Sequence, residues 1–298
     1  MKGFTAHIDT ARQEVESLKE EAQSDAKVYP PVEHLFKQTG NLLEIHIPDL
    51  HAGKLSWGDE TGWENYDLSL AVKAFEDALT ALIARTSSYT FEKVLLIVGN
   101  DILHSDNAIG TTTAGTQLDV DGRFQRTFVI VRKMIANAVE RLRLMAPVTV
   151  KMVSGNHDQL SVWHLGDSLE CQFHNCPDVE IDNAPTLRKY VQWGKVMLMF
   201  THGNCGRLND YPLVMAVEQP VMFGATEYRE AHTGDKHQLK VQELHGVRVR
   251  ISPALCPPDA WHAANNFVGN VRSAEAFVWN KEEGLVGQAV YSIPKGKH

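Results

Sequence analysis

Short apolar runs alternate with helical patterns through the first half of the chain, and this alternation limits the folds open to it. Compact apolar runs at residues 42–47, 94–98 and 148–153 are typical of buried strands. Between them, apolar residues recur at helical spacing over residues 67–86 and 125–145. A strand–helix–strand order pairs the strands in parallel and covers the sheet with helices. The first half therefore predicts an α/β fold.

The second half of the chain is richer in strands. A short helix is predicted over residues 160–173, and a hairpin over residues 190–200 turns at Gly194-Lys195. Residues 241–251 and 276–293 predict further paired strands. These strands form either a second sheet or an antiparallel extension of the first.

The N-terminal segment differs from the rest in its polarity. Residues 8–27 are charged and predict a solvated helix, which Tyr29-Pro30-Pro31 ends. We therefore expect an N-terminal helical extension over residues 1–40 and one main domain over residues 41–298.

The composition excludes several classes of protein. Of the 298 residues, 43% are apolar and 22% are charged, which is typical of globular proteins and not of disordered chains. The longest apolar runs have five residues, whereas a membrane span needs about 20. The four cysteines form no CxxC pair, and no secretory leader is visible, so we expect reduced thiols in a cytoplasmic protein without a membrane partner. The net charge of −8 argues against a protein that coats nucleic acid.

Polar residues follow the predicted strands in turn. Each cluster taken alone is also compatible with a turn, because Gly, Asn and Asp favour turns. Together the clusters favour a functional site over a set of separate turns, since the carboxyl ends of strands in open α/β sheets converge on one crevice. The clusters are Asp49-Leu50-His51, Gly99-Asn100-Asp101 with His104, Gly155-Asn156-His157-Asp158, Thr201-His202-Gly203 and Gly234-Asp235-Lys236-His237.

The residue types in these clusters are those of a metal site. Imidazole and carboxylate groups suit Mn²⁺, Fe and Zn²⁺, whereas a soft site would need thiolates. Strand alternation would point Asp49 and His51, two residues apart, to the same side. Asp101, at the next strand end, is placed to bridge two cations through its two oxygens. Two cations about 4 Å apart activate water against phosphorus in known hydrolases.

These blocks resemble those of the calcineurin-like metallophosphoesterases, and are most similar to the bacterial and phage nuclease and phosphodiesterase branch of that superfamily. The resemblance covers roughly residues 42–240. It implies a four-layer αββα sandwich of two mixed β-sheets flanked by helices. The matching blocks are DLH, GNDILH, GNHD, THG and GDKH.

The resemblance also implies a role for each residue. A dinuclear centre would hold two divalent ions, with Mn²⁺ the first choice and Mg²⁺, Fe and Zn²⁺ as alternatives. His157 would be the acid that protonates the leaving oxygen or holds the phosphoryl group, Asp158 would orient His157, and His104 would touch substrate or a bridging water. The implied ligands of the first ion are Asp49, His51, Asp101 and His237, and those of the second are Asp101, Asn156 and His202.

The sequence departs from the family pattern at two positions. Asn100 stands where the family has glycine, and we expect it to replace that glycine. Asp235 stands where the family has a histidine ligand of the second ion. As a ligand, Asp235 would add negative charge and favour Mn²⁺ or Mg²⁺; as a lost ligand, it would weaken the second site.

Other residues near these blocks carry weaker expectations. The Thr- and Gly-rich stretch at residues 110–116 is either a flexible loop or a substrate loop, in which case Arg123 or Arg126 would pair with phosphate. Trp57 and Trp63 are expected to pack rather than to stack on a base. Arg248 and Arg250 alternate along a strand, and we expect them on a solvated edge.

The leading functional hypothesis is a metal-dependent hydrolase of phosphodiester or phosphomonoester bonds that uses a hydroxide activated by two metals. Its partner is a phosphate-ester substrate, with a nucleotide, a DNA end and a phosphoprotein all open. A DNA exonuclease or phosphodiesterase is the form that the resemblance favours. The alternative is a binding module that kept the fold and lost activity, with Asp235 as its support. A third hypothesis, a structural Mn- or Zn-binding protein, does not explain an acid such as His157 next to Asn156.

Overall fold

The computed structural model describes residues 29–34 and 39–294, so the helix predicted over residues 8–27 lies outside the described residues. Two mixed β-sheets form the centre of the molecule. The first sheet has six strands. In side-by-side order they are β11 (Gly284–Ser292), β10 (Ser273–Asn280), β1 (Asn41–His46), β2 (Lys93–Gly99), β3 (Val148–Val153) and β4 (Val179–Asp182).

The second sheet has five strands and contains the hairpin predicted at Gly194-Lys195. The pairs β5–β6 and β8–β9 are antiparallel, whereas β6–β7 and β7–β9 are parallel. The later strands therefore build a separate second sheet, except β10 and β11, which extend the first. In order the five strands are β5 (Lys189–Trp193), β6 (Val196–Phe200), β7 (Tyr228–Thr233), β9 (Val247–Ile251) and β8 (Lys240–Leu244).

Helices cover the outer faces of both sheets, which confirms the predicted αββα layering. The three long helices pack on the first sheet, and two short ones pack on the second, after a 3₁₀ turn at Leu208–Asp210. The predicted helices over residues 67–86, 125–145 and 160–173 are all present. The helices are α1 (Gly58–Thr61), α2 (Leu68–Arg85), α3 (Phe124–Leu142), α4 (Gln159–Phe173), α5 (Tyr211–Glu218), α6 (Pro220–Ala225) and α7 (Ala260–Ala264).

Strand alternation divides the apolar side chains between three interfaces. In β2, Leu95 and Ile97 face the second sheet, while Val94, Leu96 and Val98 face the helices. The side chains of β6 divide in the same way between the intersheet layer and the helices of the second sheet. Because both faces of these strands are covered, they are continuously apolar, and this explains why short apolar runs marked them in the sequence.

A charged network is buried between the sheets beside this apolar layer. Glu44 Oε1 lies 2.7 Å from Nδ1 of His232, whose Nε2 lies 3.0 Å from Glu230 Oε1. Arg250 pairs with Glu230 at 3.0 Å and with Glu275 at 3.2 Å. The expectation of a solvated Arg250 is therefore wrong, because β8 and not β9 forms the edge of the sheet, and the face of β9 that carries Arg250 meets the first sheet. Arg248, two residues earlier, is partly exposed.

The parallel strands bring their carboxyl ends to one edge of the sandwich. Strands β1, β2 and β3 are mutually parallel, and so are β6 and β7. Each of these five strands is followed by one of the five polar blocks. No helix within residues 29–34 and 39–294 is long and apolar enough to cross a membrane.

Candidate metal centre

Left-handed backbone turns place the first ligands after β1 and β2. Asp49, His51, Asn100 and Asp101 have φ values of 52°, 48°, 50° and 61°, a region that residues other than glycine rarely adopt. The two loops lock together, because the Asp49 N–H donates to the Asn100 carbonyl at 2.8 Å and the His51 N–H to the Asp101 carbonyl at 2.9 Å. Backbone strain of this kind concentrates at functional sites.

Asp49 and His51 come together through the loop after β1 and not through strand alternation. The strand β1 ends at His46, so strand alternation does not aim these two side chains. They meet because both residues lie in the turned loop. Asn100, in contrast, behaves as expected for a residue that replaces glycine, since asparagine is among the few residues that tolerate a left-handed backbone.

The first group of side chains consists of Asp49, His51 and His237, with Asp101 at its border. Nε2 of His51 lies 3.2 Å from Nε2 of His237 and 3.8 Å from Oδ1 of Asp49. The distance from His237 Nε2 to Asp49 Oδ1 is 3.4 Å, and that from His51 Nε2 to Asp101 Oδ2 is 4.0 Å. One ligand atom from each of Asp49, His51 and Asp101 lies within 4.8 Å of the other two, close enough for a shared ion.

The second group shares Asp101 with the first. Nε2 of His202 lies 2.9 Å from Oδ1 of Asn156 and 3.1 Å from Oδ2 of Asp101. Oδ1 of Asp235 lies 3.8 Å from the same nitrogen, so the unusual carboxylate reaches this group. The structure thus brings together all seven residues that the sequence nominated as ligands.

Two glycines of the motif blocks closely approach the carboxylates of the proposed ligands. A Cβ at Gly155 would lie 1.9 Å from Oδ1 of Asp101, and a Cβ at Gly234 would lie 2.5 Å from Oδ2 of Asp49. Any side chain there would displace the carboxylate. The glycine of GNHD is therefore tied to the position of Asp101.

The donor set of the two groups fits a divalent cation. Burial lowers the pKa of His51 well below its usual range, so this imidazole is neutral and can act as a ligand. Burial opposes the charge on His202, but the charge of Asp101 raises the pKa of His202 to about 9. The site thus attracts positive charge among carboxylates and imidazoles, the combination that suits Mn²⁺, Fe and Zn²⁺.

The ring of His157 stands beside these groups and is held by backbone. The ring Nδ1 donates to the carbonyl of His104 at 2.8 Å, and the backbone N–H of His157 donates to Oδ1 of Asp101 at 2.8 Å. The expectation that Asp158 orients this ring is wrong. The Asp158 carboxylate instead accepts from the N–H groups of Gly155, at 2.9 Å, and Leu103, at 3.3 Å.

Asp158 therefore shapes the loop and not the imidazole. It is fully buried, and burial together with the negative charge of Asp101 raises its pKa to about 8. His104 is also buried, with Nδ1 3.2 Å from Nδ1 of His51, and it borders the cavity over the metal groups. Its place is thus compatible with the predicted contact to substrate.

A cavity of about 550 Å³ opens over both groups. Thr112 and Thr116 line it, which favours the substrate-loop reading of the Thr-rich stretch. Arg123 and Arg126 do not line it; both are exposed at the start of α3. The hypothesis that these arginines pair with substrate phosphate therefore has no support in their placement.

Trp57 is exposed, contrary to the expectation that it packs.

Sequence reasoning missed a second layer of residues around the first group. Lys54 is fully buried and its Nζ lies 3.0 Å from Oδ2 of Asp259, whose Oδ1 lies 2.6 Å from Nδ1 of His262. Cys256 Sγ lies 3.9 Å from Nδ1 of His237. Lys54 follows His51 by three residues and lies just outside the DLH block. Cys256 and Asp259 follow β9 and carry no motif.

Comparison with known proteins gives structural likeness only. No protein-family model and no curated protein matches the chain. Among solved structures, a novel archaeal phosphodiesterase aligns with 85% of this chain and 99% of its own, at 12% identity and a TM-score of 0.39. Zinc-complexed Vps29 from Entamoeba histolytica aligns with 85% and 98%, at 13% identity and a TM-score of 0.32. A hypothetical protein from Pyrococcus horikoshii OT3 aligns with 86% and 89%, at 10% identity and a TM-score of 0.37. At these identities and TM-scores, the function of those proteins cannot be assigned to this chain.

Proposed function

We propose that this protein is a dinuclear metal-dependent phosphoesterase of the calcineurin-like superfamily, which hydrolyses phosphodiester or phosphomonoester bonds. The observation that carries the proposal is the shared position of Asp101. Its Oδ2 lies 3.1 Å from Nε2 of His202 in one group and 4.0 Å from Nε2 of His51 in the other. One carboxylate between two ligand groups suits two neighbouring cations, the arrangement that phosphoester hydrolysis uses.

The ligands divide into two sets around that carboxylate. Asp49, His51 and His237 would hold the first ion, and Asn156, His202 and Asp235 the second. When bound, the ions supply Lewis acidity at the phosphoryl oxygens and lower the pKa of water. The chain itself contributes the fixed ligand geometry, because the turned loops and the glycines hold the carboxylates in place.

His157 is the proposed acid for the leaving oxygen. Its Nδ1 is committed to the carbonyl of His104, so Nε2 is the nitrogen that exchanges a proton. The ring lines the cavity beside Asn156 and stacks on His104 with ring centroids 5.3 Å apart. A general acid held by backbone is ready for proton transfer without reorganisation.

Manganese is the proposed native ion because of Asp235. Its carboxylate replaces an imidazole, and oxygen ligands favour harder cations such as Mn²⁺ and Mg²⁺ over Zn²⁺.

A binding module that lost activity is the second candidate function. The ion pair of Lys236 with Asp235 at 2.5 Å favours it, because this lysine would neutralise the carboxylate that the second ion needs.

A hydrolase assay with matched substrates tests the proposal. Chelator-treated protein is supplied with Mn²⁺, Mg²⁺ or Zn²⁺ and assayed on bis-p-nitrophenyl phosphate and p-nitrophenyl phosphate. We expect metal-dependent turnover that Asp101→Ala abolishes and that the exposed control Asp77→Ala, on α2, leaves intact. Metal binding without turnover on either substrate, or on labelled DNA, would contradict the proposal and favour the binding module.

A further inference from the structure

An exposed aromatic pair borders the cavity over the metal groups. The rings of Trp261 and Phe267 lie with centroids 5.6 Å apart and planes inclined by 35°. The two residues remain 62% and 55% exposed, although both line the same cavity as Asn156 and His157. Building on the proposed function, we propose that this aromatic platform stacks on the base of a nucleotide, so that the substrate is a small nucleoside phosphoester.

Contacts of α7 connect the platform to the first metal group. Trp261 lies on α7, whose N-cap Asp259 accepts from the His262 N–H at 2.9 Å and pairs with the buried Lys54. The His262 ring contacts Trp261 edge-on at 5.2 Å and stacks on His237 at 5.2 Å. Two ring contacts therefore separate the platform from a ligand of the first ion.

The geometry of the pair selects one mode of binding. With centroids 5.6 Å apart, the rings leave no room for a planar group between them. A base would stack on their outer, exposed face, where each stacked base contributes binding energy in single-stranded nucleic acid complexes. Gln238 lines the same cavity and offers an amide group to the edge of a base, whereas Nδ2 of Asn270, which also lines it, donates to the His237 carbonyl at 2.9 Å.

Charge around the cavity favours a small ester over a polymer. Of the described residues that line it, the lysines are Lys54 and Lys236, and each is paired with an aspartate. Arg123 and Arg126 do not line the cavity. A polymer needs cations that track its successive phosphates. The cavity volume of about 550 Å³ also lies in the range of small-molecule sites.

Two diesters with the same leaving group test the proposal. The p-nitrophenyl ester of thymidine 5′-monophosphate is compared with methyl p-nitrophenyl phosphate, which lacks a base. We expect kcat/KM to be about 5- to 150-fold higher for the thymidine ester, the range of one base stacked on an aromatic side chain. Trp261→Ala and Phe267→Ala should lower this ratio, whereas Trp163→Ala, a 39% exposed tryptophan on α4 outside the cavity, should not.

Three outcomes would overturn the inference. One is an equal kcat/KM for the two esters, and another is a ratio that Trp261→Ala does not change. The third is a single-stranded oligothymidylate cleaved at least tenfold more efficiently than the thymidine ester, which would assign the platform to a nucleic acid end.

A binding measurement separates this inference from the proposed function. Thymidine monophosphate is titrated while tryptophan fluorescence is followed in the wild type and in Trp261→Ala. Saturable quenching that the variant loses supports the platform even if no ester is hydrolysed, in which case only the hydrolase assignment fails. Hydrolysis of both esters without such quenching overturns the platform and leaves the hydrolase assignment in place.

Discussion

Oδ2 of Asp101 lies 3.1 Å from Nε2 of His202, and this contact joins the loops that follow β2 and β6. The two strands belong to different sheets, so the contact also spans the sandwich. The other oxygen of the Asp101 carboxylate, Oδ1, accepts a hydrogen bond from the backbone N–H of His157. One side chain thus links the proposed metal ligands of both sheets to the proposed acid.

Loss of the His157 ring should separate catalysis from metal binding. Because the ring is held by the carbonyl of His104 and is not among the proposed ligands, His157→Ala should keep its metal. Turnover should fall by about 10²–10⁴-fold, as for a lost general acid. The fall should be larger for an alkyl than for a p-nitrophenyl leaving group, and His164→Ala, an exposed histidine on α4, serves as the control. Full activity of His157→Ala on an alkyl ester would refute its role.

The carboxylate of Asp235 should set metal preference. It lies 3.8 Å from His202 Nε2, within reach of a shared ion. Asp235→His should keep or raise activity and move the preference towards Zn²⁺, while Asp235→Ala should weaken the second site. The measurement is activity titrated against Mn²⁺ and Zn²⁺ for the three proteins. Superimposable curves for the wild type and Asp235→Ala would exclude the ligand role.

The motif glycine of GNHD should tolerate no side chain. A Cβ at Gly155 would stand 1.9 Å from the Asp101 carboxylate, so Gly155→Ala must move that carboxylate or the loop. We expect metal affinity to fall by at least tenfold while the far-ultraviolet circular dichroism stays near that of the wild type. Gly224→Ala, on α6, is the control, because a Cβ there meets nothing within 4 Å and its backbone, like that of Gly155, is not left-handed. Unchanged metal affinity in Gly155→Ala would contradict the close approach.

Stability should depend on pH through the buried His232. Burial disfavours its charge, but Glu44 and Glu230 raise its pKa to about 9. A raised pKa means that the charged ring stabilises the fold below the ordinary histidine value of about 6.5, and that this contribution is lost as the pH rises through 9. The contribution is on the order of 3 kcal/mol. His232→Gln should therefore lower Tm at pH 7 and flatten its decline between pH 7 and 10. A decline as steep as that of the wild type would contradict this role.

The sequence predicted the layers and the position of the site, because both depend on local patterns. Apolar runs such as residues 94–98 are covered on both faces, and their carboxyl ends carry the polar blocks. A pairing that depends on tertiary contacts left no such signal. Arg250 meets Glu275 only because strands of the two different sheets, β9 and β10, fold against each other.

The sequence patterns also did not predict the geometry of the loops at the site. Strand alternation was the wrong reason for the convergence of Asp49 and His51, because the left-handed turns after β1 aim them. The backbone anchor of His157 was likewise missed, since a main-chain carbonyl has no sequence signature. Arg123 was proposed to pair with phosphate because it follows the possible substrate loop, but it lies at the start of α3 and outside the cavity.

Metal stoichiometry tests the central claim most directly. Protein purified without chelator, and protein reloaded with Mn²⁺, is analysed for bound metal per chain together with Asp101→Ala and the control Asp77→Ala. A dinuclear centre bridged by Asp101 predicts up to two ions per chain in the wild type and in the control, and a loss from both sites in Asp101→Ala. Equal metal content in the wild type and Asp101→Ala, or no bound metal in any form, would contradict the account.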